Sequence, residues 1–147
     1  MIELQVDLFK PDFFNSLDAV CFTSNGVVRS DGKLTMGAGI AKEFANKWPR
    51  IPATFGTLVK SGGNKVHVLN FYKPNIVSFP TKYHWRGQSD LELIRKSAME
   101  LVDEANKFSW RKVGLNFPGI GMGGLNKNEV REVIKNVLNE RFYVVSR

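Results

Sequence analysis

Two glycine-rich segments of the sequence have the composition of anion-binding loops. The first, Met36–Ile40, reads MGAGI and opens a helical pattern, and the second, Pro118–Leu125, reads PGIGMGGL and follows a strand-like segment. Glycines allow a backbone to adopt positive φ and to approach a ligand closely. Successive N–H groups at the start of a helix attract negative charge. Both segments are candidates for binding a phosphate. The alternative is that they are only tight strand-to-helix turns.

The second glycine loop also matches a dinucleotide-binding pattern. Gly119, Gly121 and Gly124 satisfy G-x-G-x-x-G. A dinucleotide fold needs an acidic ribose ligand about 20 residues later and a second half of the domain beyond it. Only 23 of the 147 residues follow Gly124, so this interpretation is rejected. The segment Ser61–Lys65 lacks the spacing of a phosphate-binding P-loop.

Patterns for metal ligands and for a cysteine nucleophile are not found. The two histidines, His67 and His84, and the one cysteine, Cys21, are too scattered to form a zinc site. Cys21 lies in an apolar run, which favours a reduced, buried thiol over a catalytic one. We expect no metal and no cofactor.

The composition is that of one ordinary domain. The chain has 147 residues, of which 43% are hydrophobic, and this is long enough to bury a core without disulfides or metals. No apolar run approaches the roughly 20 residues of a membrane span, and the first residues do not resemble a signal peptide. We expect residues 1–147 to form a single domain of a cytoplasmic, monomeric protein with no membrane partner.

The charge balance is basic. The chain carries 21 Lys and Arg residues against 14 Asp and Glu residues, a formal net charge of +7. An excess of this size favours an anionic partner such as a nucleotide or nucleic acid. The alternative is a basic surface with no role in binding.

Strand-like and helical segments alternate along the chain. The predicted strands are Ile2–Leu8, Asp18–Thr23, Val66–Asn70, Ile76–Phe79, Lys112–Phe117 and Phe142–Val145. The predicted helices lie between Ala38 and Trp48, after a cap at Ser89 and Asp90, and near Lys127–Leu138. This alternation predicts a three-layer α/β/α fold with a central mixed sheet. In such folds ligands bind at the carboxyl ends of the strands, where both glycine loops are expected.

Four segments, in this order and spacing, resemble the macrodomain family. They are Val6–Phe9, Asp18–Asn25, Gly37–Ala41 and Pro118–Leu125, and together they extend over nearly the whole chain. Macrodomains bind ADP-ribose. The resemblance therefore implies a single macrodomain over residues 1–147 whose partner is ADP-ribose or an ADP-ribosylated substrate, with nucleic acid as a further candidate.

The resemblance also implies roles for individual residues. Asp7 corresponds to an acidic residue that accepts a hydrogen bond from the adenine amino group, and Asn25 to an asparagine that holds the distal ribose hydroxyls. The two glycine loops correspond to those that surround the diphosphate and distal ribose. The implied ligand-binding residues are Asp7, Leu8, Asn25, Met36, Gly37, Ala38, Gly39, Ile40, Pro118, Gly119, Ile120, Gly121, Met122, Gly123, Gly124 and Leu125. The alternatives are a strand-end turn former at Asp7 and a loop residue at Asn25.

One segment narrows the resemblance to a branch of the family. Asn70–Tyr72 and the string FPTKYHWR at Phe79–Arg86 resemble the DarG-type DNA ADP-ribosyl glycohydrolases and their ester-hydrolysing relatives. In that branch a lysine reaches the distal ribose and carries catalysis, which implies Lys82 as the catalytic residue, together with Asn25. The alternative is that Lys82 and Arg86 are solvated surface cations.

Two features depart from the branch. Ester-hydrolysing relatives have an aspartate in the second glycine loop, where this chain has Gly123 and Gly124, so the loop supplies no carboxylate. The segment between Asn25 and Met36 is longer than in the DNA-directed enzymes. Its turn signals, Asn25-Gly26 and Asp31-Gly32, predict a small flap or hairpin over the site.

The resemblance implies a hydrolase that removes a group from C1″ of the distal ribose, with ADP-ribosylated DNA as a candidate substrate. Three alternatives stay open. The protein could be an ADP-ribose 1″-phosphate phosphatase or a reader that binds ADP-ribose without chemistry. It could also be a plain nucleic-acid-binding domain, an alternative suggested by Tyr72, Tyr83 and Trp85 among basic residues.

Overall fold

A computed structural model describes all 147 residues, and its centre is a six-stranded sheet. The elements are β1 (Ile2–Gln5), α1 (Pro11–Phe14), β2 (Ala19–Ser24), α2 (Gly39–Lys47), α3 (Ile51–Gly62), β3 (His67–Leu69), β4 (Asn75–Pro80), α4 (Leu91–Phe108), β5 (Val113–Asn116), a 3₁₀ turn (Gly121–Gly123), α5 (Lys127–Ile134) and β6 (Phe142–Ser146). The strand order is β1-β6-β5-β2-β4-β3, and only the β3–β4 pair is antiparallel. The predicted mixed sheet of an α/β/α fold is confirmed.

Strand β2 lies in the middle of the sheet and is buried on both faces. Ala19 and Cys21 pack into the core beneath α4 and α5, whereas Val20 and Phe22 pack into the core beneath α2 and α3. This division follows from the period of two in a strand, which sends neighbouring side chains to opposite faces. A continuous apolar run is what a strand covered on both sides requires.

Helix α4 covers one face of the sheet and begins at the predicted cap. The carboxylate of Asp90 accepts a hydrogen bond from the Leu93 amide at 2.8 Å, and this bond satisfies a free N–H of the first turn. The helix ends at Ser109, whose φ of 57° breaks the helical path. None of the helices, α4 included, combines the length and apolar content needed to cross a membrane.

The structure corrects several predicted boundaries. β1 ends at Gln5 rather than Leu8, and because it is an edge strand it is more exposed than the predicted half-buried strand. α5 ends at Ile134, four residues before the predicted Leu138. The short helix α1 and the longer helix α3 are not predicted from the sequence at all.

The parallel strands place three connecting segments together. β2, β4 and β5 are neighbours and end at Ser24, Pro80 and Asn116 on the same edge of the sheet. The segments that follow them include the first glycine loop, Lys82 and the second glycine loop. This edge is therefore where the candidate site forms.

Candidate active site at the carboxyl edge of the sheet

A cavity of about 530 Å³ opens at this edge of the sheet. Its lining residues are Thr23, Ser24, Asn25, Thr35, Met36, Gly37, Ala38, Gly39, Ile40, Ala41, Thr81, Lys82, Trp85, Ser89, Asn116, Phe117, Gly119, Ile120, Met122 and Gly123. The volume lies within the range of about 300–1,000 Å³ typical of small-molecule sites. Eight of the 20 lining residues are hydrophobic, four are glycines and one, Lys82, is charged.

Most of the residues proposed from the sequence meet in this cavity. Those that line it are Asn25, Met36, Gly37, Ala38, Gly39, Ile40, Lys82, Gly119, Ile120, Met122 and Gly123. Those that do not line it are Asp7, Leu8, Pro118, Gly121, Gly124 and Leu125. The first group comes from three separate loops, and the sheet is what brings these loops together.

The first glycine loop leaves open space where it faces the cavity. A Cβ added at Gly37 or at Gly39 would meet no protein atom within 4 Å. Gly39 has a φ of +58°, which favours glycine, whereas Gly37 has no such constraint. Packing within the protein therefore does not require a glycine at position 37, and the free space there is available to a ligand. The amides at the start of α2 lie beside this space.

The second glycine loop is shaped by its own packing. A Cβ at Gly119 would lie 2.6 Å from Cδ1 of Ile94, and one at Gly123 would lie 2.4 Å from Oγ of Ser89. Gly119, Gly121 and Gly124 all have φ between 64° and 77°. The turn interpretation therefore applies to this loop, and Gly119 and Gly123 also line the cavity.

Asn25 holds the base of a hairpin. Its Nδ2 donates to the carbonyl of Thr35 at 3.1 Å, and its Oδ1 accepts from the Val27 amide at 3.0 Å. Asn25 and Thr35 line the cavity, so this pair forms one side of its wall.

The predicted hairpin forms, but it does not lie over the site. Val28 and Leu34 make an antiparallel bridge, and the amide of Leu34 donates to Pro52 on α3 at 2.8 Å. A Cβ at Gly56 would lie 1.9 Å from the carbonyl oxygen of Gly32, so the hairpin tip packs directly on α3. None of residues 26–34 lines the cavity. The prediction that the hairpin lies over the site is therefore wrong, and the hairpin packs against α3 instead.

Lys82 is the only charged side chain that lines the cavity. Its backbone is fixed on both sides, because its amide donates to Ser24 at 3.3 Å and its carbonyl accepts from Asn64 at 3.1 Å. No carboxylate lies within 4.0 Å of the Lys82 ammonium, and no Asp or Glu lines the cavity. The site therefore presents a half-buried cation without a counter-charge of its own.

Several known proteins are similar to this chain in sequence or in structure. A DNA ADP-ribosyl glycohydrolase of Mycobacterium tuberculosis is 29% identical over 104 residues, which cover 66% of this chain. The solved macrodomain of Thermus aquaticus DarG has a TM-score of 0.81 and 25% identity, covering 99% of this chain and 97% of that one. The chain has the macrodomain fold and is similar to DarG macrodomains. No family model matches the sequence.

The macrodomain spans only part of its relatives. It covers about 30% of the length of the curated relative from M. tuberculosis. A third structure, Thermosipho africanus DarTG in complex with ADP-ribose, has a TM-score of 0.80 at 19% identity, with 97% of this chain and 40% of that chain covered. That likeness shows the fold.

Asp7 lies outside the cavity of this macrodomain, beyond the end of β1. Its Oδ1 accepts from the Phe9 amide at 2.9 Å, and its Oδ2 pairs with Nε of Arg147 at 3.2 Å. Arg147 also pairs with Glu43 on α2, and this carboxylate raises the pKa of the Arg147 guanidinium. The carboxylate of Asp7 thus forms a turn and an ion pair. The next residue, Leu8, is buried in the core under α2 and α3.

Sequence reasoning missed Ser89 as a site residue. It was interpreted as part of the helix cap, but the cap is Asp90 alone, and Ser89 instead lines the cavity of the macrodomain. Its amide donates to Gly123 at 2.9 Å, whereas its buried Oγ has no hydrogen-bond partner in the protein. The hydroxyl of this cavity-lining residue therefore has a hydrogen bond that the protein does not supply.

Thr81 and Asn116 also line the cavity without having been predicted. Asn116 is the last residue of β5, and Thr81 directly follows β4. Their signal was available in the sequence, because the residues at the carboxyl ends of central parallel strands face the ligand edge.

Proposed function

We propose that this macrodomain binds the ADP-ribose group of ADP-ribosylated DNA and hydrolyses the bond between C1″ of the distal ribose and the base. The observation that carries the proposal is the position of Lys82, a single unpaired cation in a cavity otherwise lined by neutral residues. The name of the M. tuberculosis relative, DNA ADP-ribosyl glycohydrolase, supports the same reaction.

The first glycine loop suits the diphosphate of the ligand. Around Gly37 and Gly39 the backbone faces open space, and the amides at the start of α2 lie behind it. Such a helix start stabilises anions through its free N–H groups and its dipole. With the diphosphate there, the distal ribose extends toward Lys82, Asn25 and the second glycine loop.

The reaction breaks the C1″–N bond and adds water. As that bond lengthens, positive charge develops on the ribose and negative charge on the departing base. The ammonium of Lys82 stabilises the negative charge on the base, while the oxygen of water bonds to C1″ and the proton released from that water goes to the base. The substrate's own diphosphate stabilises the positive ribose, so the cavity needs no carboxylate.

The lack of a nearby carboxylate supports an electrostatic role for Lys82 over a covalent one. A lysine nucleophile must first lose its proton to a base. No Asp, Glu or His lines the cavity to accept it. The electrostatic role therefore agrees better with the geometry than the covalent one.

The test offers the purified protein three substrates side by side: ADP-ribosylated single-stranded DNA, an ADP-ribosyl ester and ADP-ribose 1″-phosphate. We expect release of ADP-ribose from the DNA, measured by chromatography, and little from the other two. Gly37→Val is the negative control, because Gly37 lines the cavity and a Cβ there would meet no protein atom within 4 Å.

Two other results would contradict the proposal. Release of phosphate from ADP-ribose 1″-phosphate alone would identify a phosphatase. Binding of ADP-ribose by calorimetry with no turnover of any substrate would identify a reader.

A further inference from the structure

We propose that Tyr83, Trp85 and Arg86 form a surface that stacks the bases and holds the phosphates of single-stranded DNA beside the cavity mouth. This proposal rests on the proposed function, because it adds a contact for the polynucleotide that carries the ADP-ribose. We call the segment from Tyr83 to Arg86 the stacking loop.

The stacking loop exposes aromatic surface next to the cavity. The exposed fractions of Tyr83 and Trp85 are 64% and 46%, and Met122 on the second glycine loop is 77% exposed. Trp85 and Met122 also line the cavity. Large apolar side chains in water at the rim of a pocket mark a contact surface for something larger than the pocket's own ligand.

The stacking loop is held in place before any ligand arrives. The carbonyl of Tyr83 accepts from the Gly26 amide at 3.2 Å, and Nδ1 of His84 accepts from the Arg86 amide at 3.1 Å. The rings of His84 and Trp85 stack at 5.4 Å with an interplanar angle of 29°. A surface ordered in advance loses little conformational entropy when it binds.

The charge of the stacking loop selects an anion. The guanidinium of Arg86 lies 4.6 Å from the centroid of the Trp85 ring and makes no ion pair with any carboxylate. Residues 81–89 contain no Asp or Glu, and the whole chain carries a net charge of +7. Aromatic rings beside free cations are the combination that binds nucleic acid strands, the rings by stacking and the cations by phosphate contact.

The exposed rings favour a single strand over a duplex. A ring can stack on a base only when a base face is free, and in a duplex those faces are covered by neighbouring base pairs. The location beside Lys82 places such bases next to the modified nucleotide whose ADP-ribose occupies the cavity. The occupant to which the proposal commits is therefore single-stranded DNA.

The test measures binding of a fluorescein-labelled, unmodified oligodeoxynucleotide of about 12 nucleotides, within the site sizes of single-strand binders, by anisotropy. Tyr83→Ala and Arg86→Ala should each weaken binding about five- to fiftyfold, the scale for loss of one stacking or phosphate contact. Arg86→Ala should also reduce the slope of log K against log salt by about 0.7, the value per phosphate of a single strand.

Matched controls lie at the opposite end of the sheet. Phe71 is 72% exposed, and the side chain of Arg111 makes no hydrogen bond or ion pair. Phe71→Ala and Arg111→Ala should bind the oligonucleotide like the unchanged protein. Equal losses in these controls, no loss in Tyr83→Ala and Arg86→Ala, or tighter binding of the matching duplex would each overturn the proposal.

The same design separates this proposal from the proposed function. The oligonucleotide carries no ADP-ribose, so its binding does not depend on hydrolysis. Binding of the strand through Tyr83 and Arg86 without any turnover of ADP-ribosylated DNA would contradict the function and leave the stacking surface standing. Turnover of ADP-ribosylated DNA without binding of the unmodified strand would support the function and contradict the stacking surface.

Discussion

Asn64 donates a hydrogen bond from Nδ2 to the backbone carbonyl of Lys82 at 3.1 Å. Asn64 follows the end of α3, and its side chain also packs against Gly26, where an added Cβ would lie 2.9 Å from Cγ of Asn64. One amide thus ties the candidate catalytic lysine to the base of the hairpin. The Oδ1 of the same side chain is buried without a partner.

Asn64 is therefore expected to act as a positioning residue for Lys82. Asn64→Ala should lower kcat about 10- to 100-fold, because a small displacement of a reacting group has effects of that size. KM should change much less. Thr57→Ala, on the exposed side of α3, is the control, since Thr57 bonds only to its own helix. A lower melting temperature with an unchanged kcat would reduce Asn64 to a structural role.

Substitution of Lys82 distinguishes an enzyme from a reader that binds ADP-ribose without chemistry. Lys82→Ala should lower turnover about 10²- to 10³-fold, the scale for one pre-organised charge or donor. Affinity for ADP-ribose should fall much less, because the interaction acts mainly in the transition state. Lys82→Arg keeps the charge and should retain partial activity. Lys96→Ala, an exposed lysine on α4, should act like the unchanged protein. If Lys82→Ala turns over the substrate at the wild-type rate, Lys82 is a surface cation with no role in catalysis.

Gly37 tests whether the first loop contacts the ligand. Because a Cβ at Gly37 meets no protein atom within 4 Å and its φ lies outside the left-handed region, Gly37→Val should leave the melting temperature nearly unchanged. The added side chain should nonetheless abolish ADP-ribose binding in calorimetry, with Gly37→Ala intermediate. Normal affinity in Gly37→Val would show that the ligand does not use this space.

Ser89 should contribute to binding but not to folding. Its Oγ has no partner in the protein, so Ser89→Ala should leave the free energy of unfolding unchanged while weakening ADP-ribose binding about three- to tenfold, the value of one hydrogen bond. Ser97 is the contrasting buried serine, since its Oγ donates to the carbonyl of Pro80 at 2.7 Å. Ser97→Ala should lower stability by about 1 kcal/mol. Equal ADP-ribose affinity in Ser89→Ala and the unchanged protein would remove Ser89 from the site.

The buried thiol of Cys21 should make the free energy of unfolding depend on pH in the alkaline range. Burial raises the pKa of the Cys21 thiol far above its usual range. Since the unfolded thiol titrates near about pH 8.5, its contribution to stability is complete below that pH and is lost as pH rises above it. Between pH 7 and 10 the free energy of unfolding in urea should fall by about 2 kcal/mol more in the unchanged protein than in Cys21→Ala. Parallel curves would show that the thiol is not desolvated.

The sequence was informative wherever a local pattern determines the structure. The apolar run of β2 predicted a strand buried on both faces, and the glycine loops predicted the edge at which the cavity forms. Asn25 and Lys82 were placed by resemblance, and both line that cavity.

The features that were not predicted depend on contacts between segments that are far apart in the sequence. Helix α3 was not predicted; Pro52 lies in its first turn, where proline is tolerated, and Gly56 allows the hairpin to pack there. Ser89 lines the cavity beside Gly123, and Asn64 bonds to Lys82; these partners are 34 and 18 residues away in the sequence. No local pattern encodes such pairings.

The cavity is lined by the glycine loops and by Lys82, and the difference between them has a consequence for the kinetics. In the proposed mode of binding, the glycine loops contact the part of the ligand that the reaction leaves intact, whereas Lys82, the one charged residue that lines the cavity, contacts the bond that breaks. Free ADP-ribose therefore keeps nearly all of its contacts after cleavage. If the proposed reaction is correct, we expect product release, rather than bond cleavage, to limit repeated turnover, and accumulated ADP-ribose to compete with fresh substrate.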